Sequence, residues 1–141
     1  MSQENVEIVA RAYEYGHEVR KLLLQGDDLS DHPWLSLWHP ECVLEEVAEV
    51  PDTATYHGRQ GVARYFKQLG ELWDDLVLTP VEIVEGDDGV LAVTDMQARS
   101  QAGVPTDGRV FQVFRFKDGM IVYATGYVDR EQALAAAGLS E

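Results

Sequence analysis

The stretch RVFQVFRFKDGMIVYATGYV, residues 109–128, decides the fold. It reads as two β-strands, Arg109–Lys117 and Met120–Val128, with Asp118-Gly119 between them as a hairpin turn. Immediately upstream the same design recurs. Leu76–Glu85 and Val90–Gln101 read as strands on either side of Gly86-Asp87-Asp88-Gly89, a second strong hairpin signal. Ala102–Gly108, which contains Gly103, Pro105 and Gly108, reads as a longer loop joining the two pairs. Four consecutive antiparallel strands have an apolar face that other elements must cover.

The cover lies upstream. Ser2 and Glu4 suit the start of a helix on which Val6, Val9, Tyr13 and Gly16 share a face, and which runs on through Leu22-Leu23-Leu24 to stop near Gly26. Ser30-Asp31-His32-Pro33 is a second helix start, Trp34, Leu37 and Trp38 form its apolar stripe, and Pro40 ends it. Cys42–Val47 reads as a strand followed by a Pro51-Asp52 turn. Gly58 then opens a third helix with Val62, Tyr65, Phe66, Leu69, Leu72 and Trp73 along one side. Asp129, with Gln132 three residues later, starts a short last helix that Gly138 ends. Helices first and strands afterwards predict an α+β class, with a curved, antiparallel-rich sheet wrapped round three N-terminal helices. Such a wrap leaves a hollow at one end.

The chain of 141 residues, 45% of them apolar, fits one domain spanning residues 1–141. Its polar, acidic N-terminus lacks a signal pattern and no apolar run approaches membrane-spanning length, so a cytoplasmic protein is expected. A formal charge of -14, from 25 acidic and 11 basic residues, argues against nucleic-acid and membrane partners. It also disfavours strongly anionic substrates unless a local basic pocket reverses the field. Cys42, the single cysteine, excludes an intrachain disulfide and reads as a buried inert thiol. Asp27-Asp28, Asp74-Asp75 and Asp87-Asp88 sit beside turn signals and read as solvated loop charge rather than calcium ligands.

Several segments in order resemble one family. SQENVEIVARAYE looks like the first helix of SnoaL-like proteins, a branch of the nuclear-transport-factor-two-like superfamily. Trp38-His39-Pro40-Glu41 with Val43-Leu44-Glu45-Glu46 resembles their first strand and its approach. Tyr56-His57-Gly58-Arg59, Gly61-Val62 and Tyr65-Phe66 resemble their third-helix signature. Val113 to Ile121 and Tyr127 to Glu131 resemble their closing hairpin and tail. The resemblance implies a cone fold with a buried apolar pocket, a homodimer, and chemistry with no metal and no organic cofactor. Relatives of this kind include ketosteroid isomerase, limonene epoxide hydrolase, scytalone dehydratase and polyketide cyclases. One departure stands out: where relatives have a short turn after the first helix, Gly16–Asp31 reads as an enlarged insertion bordering the pocket mouth.

The resemblance nominates three residues for chemistry. Glu45 takes the place of the proton-shuttling carboxylate of ketosteroid isomerase, whose pKa an apolar wall would raise. The residues themselves leave open that Glu45 and Glu46 alternate on a strand, one of them facing solvent. Gln112 falls where that enzyme has a protonated aspartic acid, and its amide is a weaker donor to an oxyanion; a strand glutamine bonded to a neighbour is the other reading. The helix tyrosine that completes that site falls at Ala12, and a one-residue shift of the match would bring in Tyr13. Asp95 resembles one carboxylate of the limonene epoxide hydrolase machinery, but Val93 replaces its arginine and Gly126 falls near its second aspartate. Asp95 then either is buried at a cost, or lies on the outer face, or pairs with Arg99. Tyr13, His17, Trp34, Trp38, His57, Phe114 and Tyr127 are expected to line the pocket, and His17, His39 and His57 lack metal-ligand spacing. Two functions are open. One is an acid/base enzyme acting on a small apolar carbonyl, polyketide or terpenoid-like compound. The other is a non-catalytic domain that binds a small ligand or only dimerises.

Overall fold

In the computed structural model, which describes residues 2–29, 31–46, 54–100 and 105–139, the chain runs α1 (Ser2–Leu24), α2 (Pro33–Ser36), β1 (Trp38–Glu45), β2 (Thr55–His57), α3 (Gly58–Leu72), β3 (Trp73–Gly86), β4 (Gly89–Ser100), β5 (Pro105–Lys117), β6 (Met120–Tyr127) and α4 (Arg130–Ala136). The six strands form one curved sheet in the order β2-β1-β6-β5-β4-β3. All pairings are antiparallel except β1 with β6, which run parallel. The α+β class, the helices in the wrap of the sheet and the short final helix agree with the sequence reading.

Side-chain alternation assigns each strand two faces. Val90, Ala92 and Phe114 belong to the larger core, with Val9 and Val19 of α1, Val62 of α3, and Leu44 and Cys42 of β1. Leu91, Val93, Phe111 and Val113 point the other way and are covered by Ala133, Leu134 and Ala137 at the C-terminal end of the chain. The outer face is therefore partly closed by α4, which the reading of one helix-covered face did not foresee. Asp129 caps that helix by accepting from the Gln132 amide at 3.3 Å.

Curvature comes from irregular pairing. The β3–β4 register shifts between Asp74 and Val77 and again between Pro80 and Glu82, and such extra residues bend a strand. β3 is an edge strand, so Pro80 costs the sheet little. The end of α4 docks on the β3–β4 hairpin, where the Asp88 amide donates to Ala137 O at 3.0 Å. Contact there is close enough that a Cβ on Gly86 would stand 2.0 Å from the same oxygen.

Four boundaries differ from the sequence reading. Trp38 opens β1 instead of closing a helix, because it pairs with Ile121 of β6. Pro40 then lies in the gap of the β1–β6 ladder between Trp38 and Val43, where a missing N–H is harmless. β2, three residues long, carries too short an alternation to read as a strand. Trp73 and the Asp74-Asp75 pair belong to β3 rather than to the helix and a loop; Asp75 adopts φ 53 at the register shift and pairs with Arg99 at 3.8 Å. Within the expected 102–108 loop, Pro105–Gly108 are already strand. The second helix starts at Pro33 with His32 as its cap, Nδ1 accepting from Trp34 N at 3.0 Å. Ser30, Val47, the Pro51-Asp52 turn and residues 101–104 lie outside the described residues. No helix among the described residues is long and apolar enough to cross a membrane.

Candidate functional site

Helices α1 and α3 do not fill the concave side of the sheet, and a cavity of about 290 Å³ remains. Its walls are largely apolar. Trp34, Trp38 and Phe66 form an edge-to-face aromatic group, with Trp34–Trp38 centroids 5.8 Å and Trp34–Phe66 centroids 5.5 Å apart. Leu69, Leu76, Leu78, Met96, Val110 and Phe114 continue the lining. Two groups of polar side chains interrupt it.

The first is centred on Tyr13. Its place on the Val9–Tyr13 face of α1 directs the ring over the sheet, where it meets Phe114 edge-on. Its hydroxyl donates to Oε1 of Gln112 on β5 and lies 3.0 Å from the Thr94 hydroxyl on β4. Thr94 is fully buried, at 0% exposure. Burial pushes the Tyr13 pKa well above the ordinary phenol range, partly opposed by the Thr94 bond. The hydroxyl thus keeps its proton throughout the physiological range.

The second is centred on Glu46. Cys42 and Leu44 point inward on β1, and Glu46 is the next residue in that alternation. Its carboxylate accepts from the Tyr56 hydroxyl at 3.4 Å, and the same hydroxyl lies 3.0 Å from Gln68 Oε1. Tyr65, which also borders the cavity, has its pKa pushed up to about 12, first by burial and then by the charges of Glu46 and Tyr56. Tyr56 is raised by burial and then by the charge and hydrogen bond of Glu46, with Arg64 opposing. Glu46 therefore sits beside two phenols that remain donors.

Of the residues singled out from sequence, Tyr13, His17, Trp34, Trp38, Phe114, Gln112 and Glu45 border the cavity. Glu45 does so from the end of β1, but its carboxylate accepts from the Tyr123 hydroxyl on the opposite face of the sheet. There the Tyr123 ring lies 5.1 Å beneath the Arg115 guanidinium. The one-residue offset between Glu45 and Glu46 exchanges the two faces. Asp95 lies outside the cavity: it is on the outer face, 42% exposed, and pairs with Arg109 on β5 at 2.9 Å, not with Arg99. Tyr127 likewise faces outward, packed on the cluster beneath α4. His57 is exposed at the end of β2. His39 is buried, its Nδ1 accepting from Glu41 N and its Nε2 3.5 Å from Asp118.

Sequence reasoning missed Glu46 as the inward carboxylate, Thr94 as a buried hydroxyl, and Arg20. Gly16–Leu24 continues α1, as its helical reading expected, so the part of the expected insertion up to Leu24 is helix, and Gly16, His17, Val19 and Arg20 border the cavity. Thr94 had a visible signal: it is a polar residue in the apolar run Leu91-Ala92-Val93. Among the described residues no cluster of three or more His, Cys, Asp or Glu could hold a metal ion.

The SnoaL-like domain profile matches residues 23–124. Solved structures share the fold. An NTF2-like protein of unknown function from Burkholderia pseudomallei is 18% identical with a TM-score of 0.71, covering 97% of this chain and 98% of its own. TerC, co-crystallised with polyporic acid, is 18% identical with a TM-score of 0.69 over 95% of this chain and 97% of its own. A Mycobacterium tuberculosis protein in complex with estradiol-17beta-hemisuccinate is 17% identical with a TM-score of 0.66 over 93% and 97%. No curated protein matches the sequence.

Proposed function

Because the chain belongs to the SnoaL-like domain family, in the NTF2-like fold group that includes proteins named for polyketide cyclase and isomerase activity, we propose that it is an acid/base enzyme. It acts, without metal or organic cofactor, on a small, largely apolar carbonyl compound of polyketide or terpenoid type. One observation carries this reading: a carboxylate, Glu46, and a donor group, Tyr13 with Gln112, border the same apolar cavity from different elements. That two neighbours were crystallised with small ring compounds supports a ligand of that class.

In this reading Glu46 takes a proton from the carbon next to the substrate carbonyl, and the electron pair moves onto the carbonyl oxygen. The amide of Gln112, bonded to Tyr13, donates to that oxygen as its charge develops. The Glu46 carboxylic acid then returns the proton at another carbon, or the enolate carbon attacks a second carbonyl and closes a ring, and Glu46 gives its proton to the alkoxide so formed. Glu46 replaces Glu45 as the base because its side chain is on the cavity side of β1.

The test needs no knowledge of the product. Each member of a panel of cyclic ketones, enones and hydroxyquinones is incubated with the protein in D2O, and deuterium uptake next to the carbonyl is followed by NMR. Glu46→Gln lowers exchange about 100-fold or more, while Asp95→Asn, on the outer face, leaves it unchanged. Exchange that survives Glu46→Gln in a folded protein removes Glu46 from the mechanism.

A ligand-binding domain is the second reading, and one contact favours it. The single Tyr13 proton is already engaged by Gln112. A compound that raises the Tm of wild type and Glu46→Gln equally, with no deuterium uptake, supports that reading. We also propose, from the family, that the chain forms a homodimer.

A further inference from the structure

The hydroxyl of Thr94 sits beneath Tyr13 and does not itself border the cavity, so direct contact with a substrate does not account for it. A buried hydroxyl in an apolar strand has a cost unless its hydrogen bonds are made. Two acceptors are within reach of Thr94 Oγ1: the Tyr13 oxygen at 3.0 Å and Ala92 O at 3.4 Å. The shorter contact is within the range of such a bond and the longer one is beyond it. Tyr13 has one proton, and it is directed at Gln112 Oε1. Its oxygen is then an acceptor facing the Thr94 hydroxyl.

We infer that Thr94, Tyr13 and Gln112 form a one-way hydrogen-bond chain in which Thr94 is a positioning residue that turns the Gln112 amide N–H group, rather than the Tyr13 hydroxyl, toward the substrate carbonyl. Each donor in the chain polarises the next, so the terminal amide donates more strongly than an isolated glutamine. The chain also fixes which end of the amide faces the cavity. A glutamine alone could present either its oxygen or its nitrogen to a ligand, and the oxygen would repel a carbonyl. Tyr13 serves here as a relay within the protein, and Thr94 holds its lone pair in place. The inference rests on the enzymatic reading for its consequence, but the chain itself is testable without turnover.

The first measurement is the side-chain amide resonance of Gln112 in the 15N–1H spectrum of the ligand-free protein, identified by its loss in Gln112→Glu. Tyr13→Phe removes the donor to Oε1 and shifts that resonance upfield. Thr94→Val, nearly isosteric, shifts it in the same direction by less, and Thr94→Ser restores the wild-type position. A resonance unmoved by Thr94→Val in a folded protein overturns the chain. So does a Tyr13→Phe variant in which the resonance stays in place or moves the other way. In the deuterium-exchange assay Thr94→Val lowers kcat about tenfold with KM little changed, and Thr94→Ser recovers it. If the resonances shift as stated but no ketone exchanges, the chain stands and the enzymatic reading alone fails.

Discussion

At the scale of single residues, burial competes with ionisation on both faces of the sheet, and the phenols keep their protons. Tyr65 and Tyr123 are both raised to about 12, each chiefly by desolvation and then by a neighbouring glutamate. In the unfolded chain both would ionise near the ordinary value of 10.0. Below that pH both states hold the proton and the contribution of these residues to stability is fully present. As the pH rises the unfolded chain releases protons first, so stability falls and the contribution is lost as the folded values near 12 are passed. Denaturant midpoints are therefore expected to be level from neutral pH to about 10 and to fall steeply above it, and absorbance at 295 nm should show late-titrating tyrosines in the folded protein. A full complement of tyrosines titrating near 10.0 would contradict this picture. The same scale explains what the sequence reading could and could not see in the site. Tyr13, Trp34 and Trp38 were legible as cavity neighbours from their helical spacing and Gln112 from its strand motif, although the family match put the helix tyrosine at Ala12. The choice between Glu45 and Glu46 was not, since a strand reverses its face at every residue and the alternation can be anchored only by a pairing partner. For Asp95 the outer face was among the readings, but its salt-bridge partner could not be read, because Arg109 comes from a different strand.

At the scale of elements, the last helix is held by its C-terminal carbonyls more than by its length. Arg115 donates to Ala136 O and to Asp88 O, each at 3.2 Å, and Asp88 N reaches Ala137 O. Cations and donors at a helix C-terminus complement its dipole. Gly86 lies under this junction, so Gly86→Ala must push the end of α4 off the hairpin. The expected cost is about 2–3 kcal/mol, read as a lower urea midpoint with early proteolytic loss of the segment after Tyr127. An unchanged midpoint would show that the junction yields without strain. Both hairpins were legible because Gly-Asp-Asp-Gly and Asp-Gly leave few alternatives to a tight turn. α4 was legible from its cap, but its position over the outer face was not, because docking depends on the shape of the β3–β4 turn. The extension of α1 was visible as helix-forming sequence. His17 was expected at the cavity, but that Arg20 also reaches it follows only from the tilt of the helix across the sheet.

At the scale of the whole molecule, the formal charge of -14 is spread over a surface that still exposes Val77, Val81 and Val128, by 43%, 50% and 59%. The proposed homodimer is expected to tighten with ionic strength, because salt screens like charges while leaving apolar contact intact. Sedimentation velocity at micromolar concentration in low and high salt checks this, and a monomer under both conditions counts against association. The parallel pairing of β1 with β6 has another consequence, for how the protein comes into being. The strand that carries Leu44 and leads to Glu46 finds its inner neighbour only in β6, the last strand of the sheet to be synthesised. Trp38 waits for Ile121, and Leu44 for Ala124. Contacts so distant along the chain are slow to form. During synthesis, then, β1 and the aromatic wall beside it stay apart from the β3–β5 part of the sheet until β6 has been made to join them.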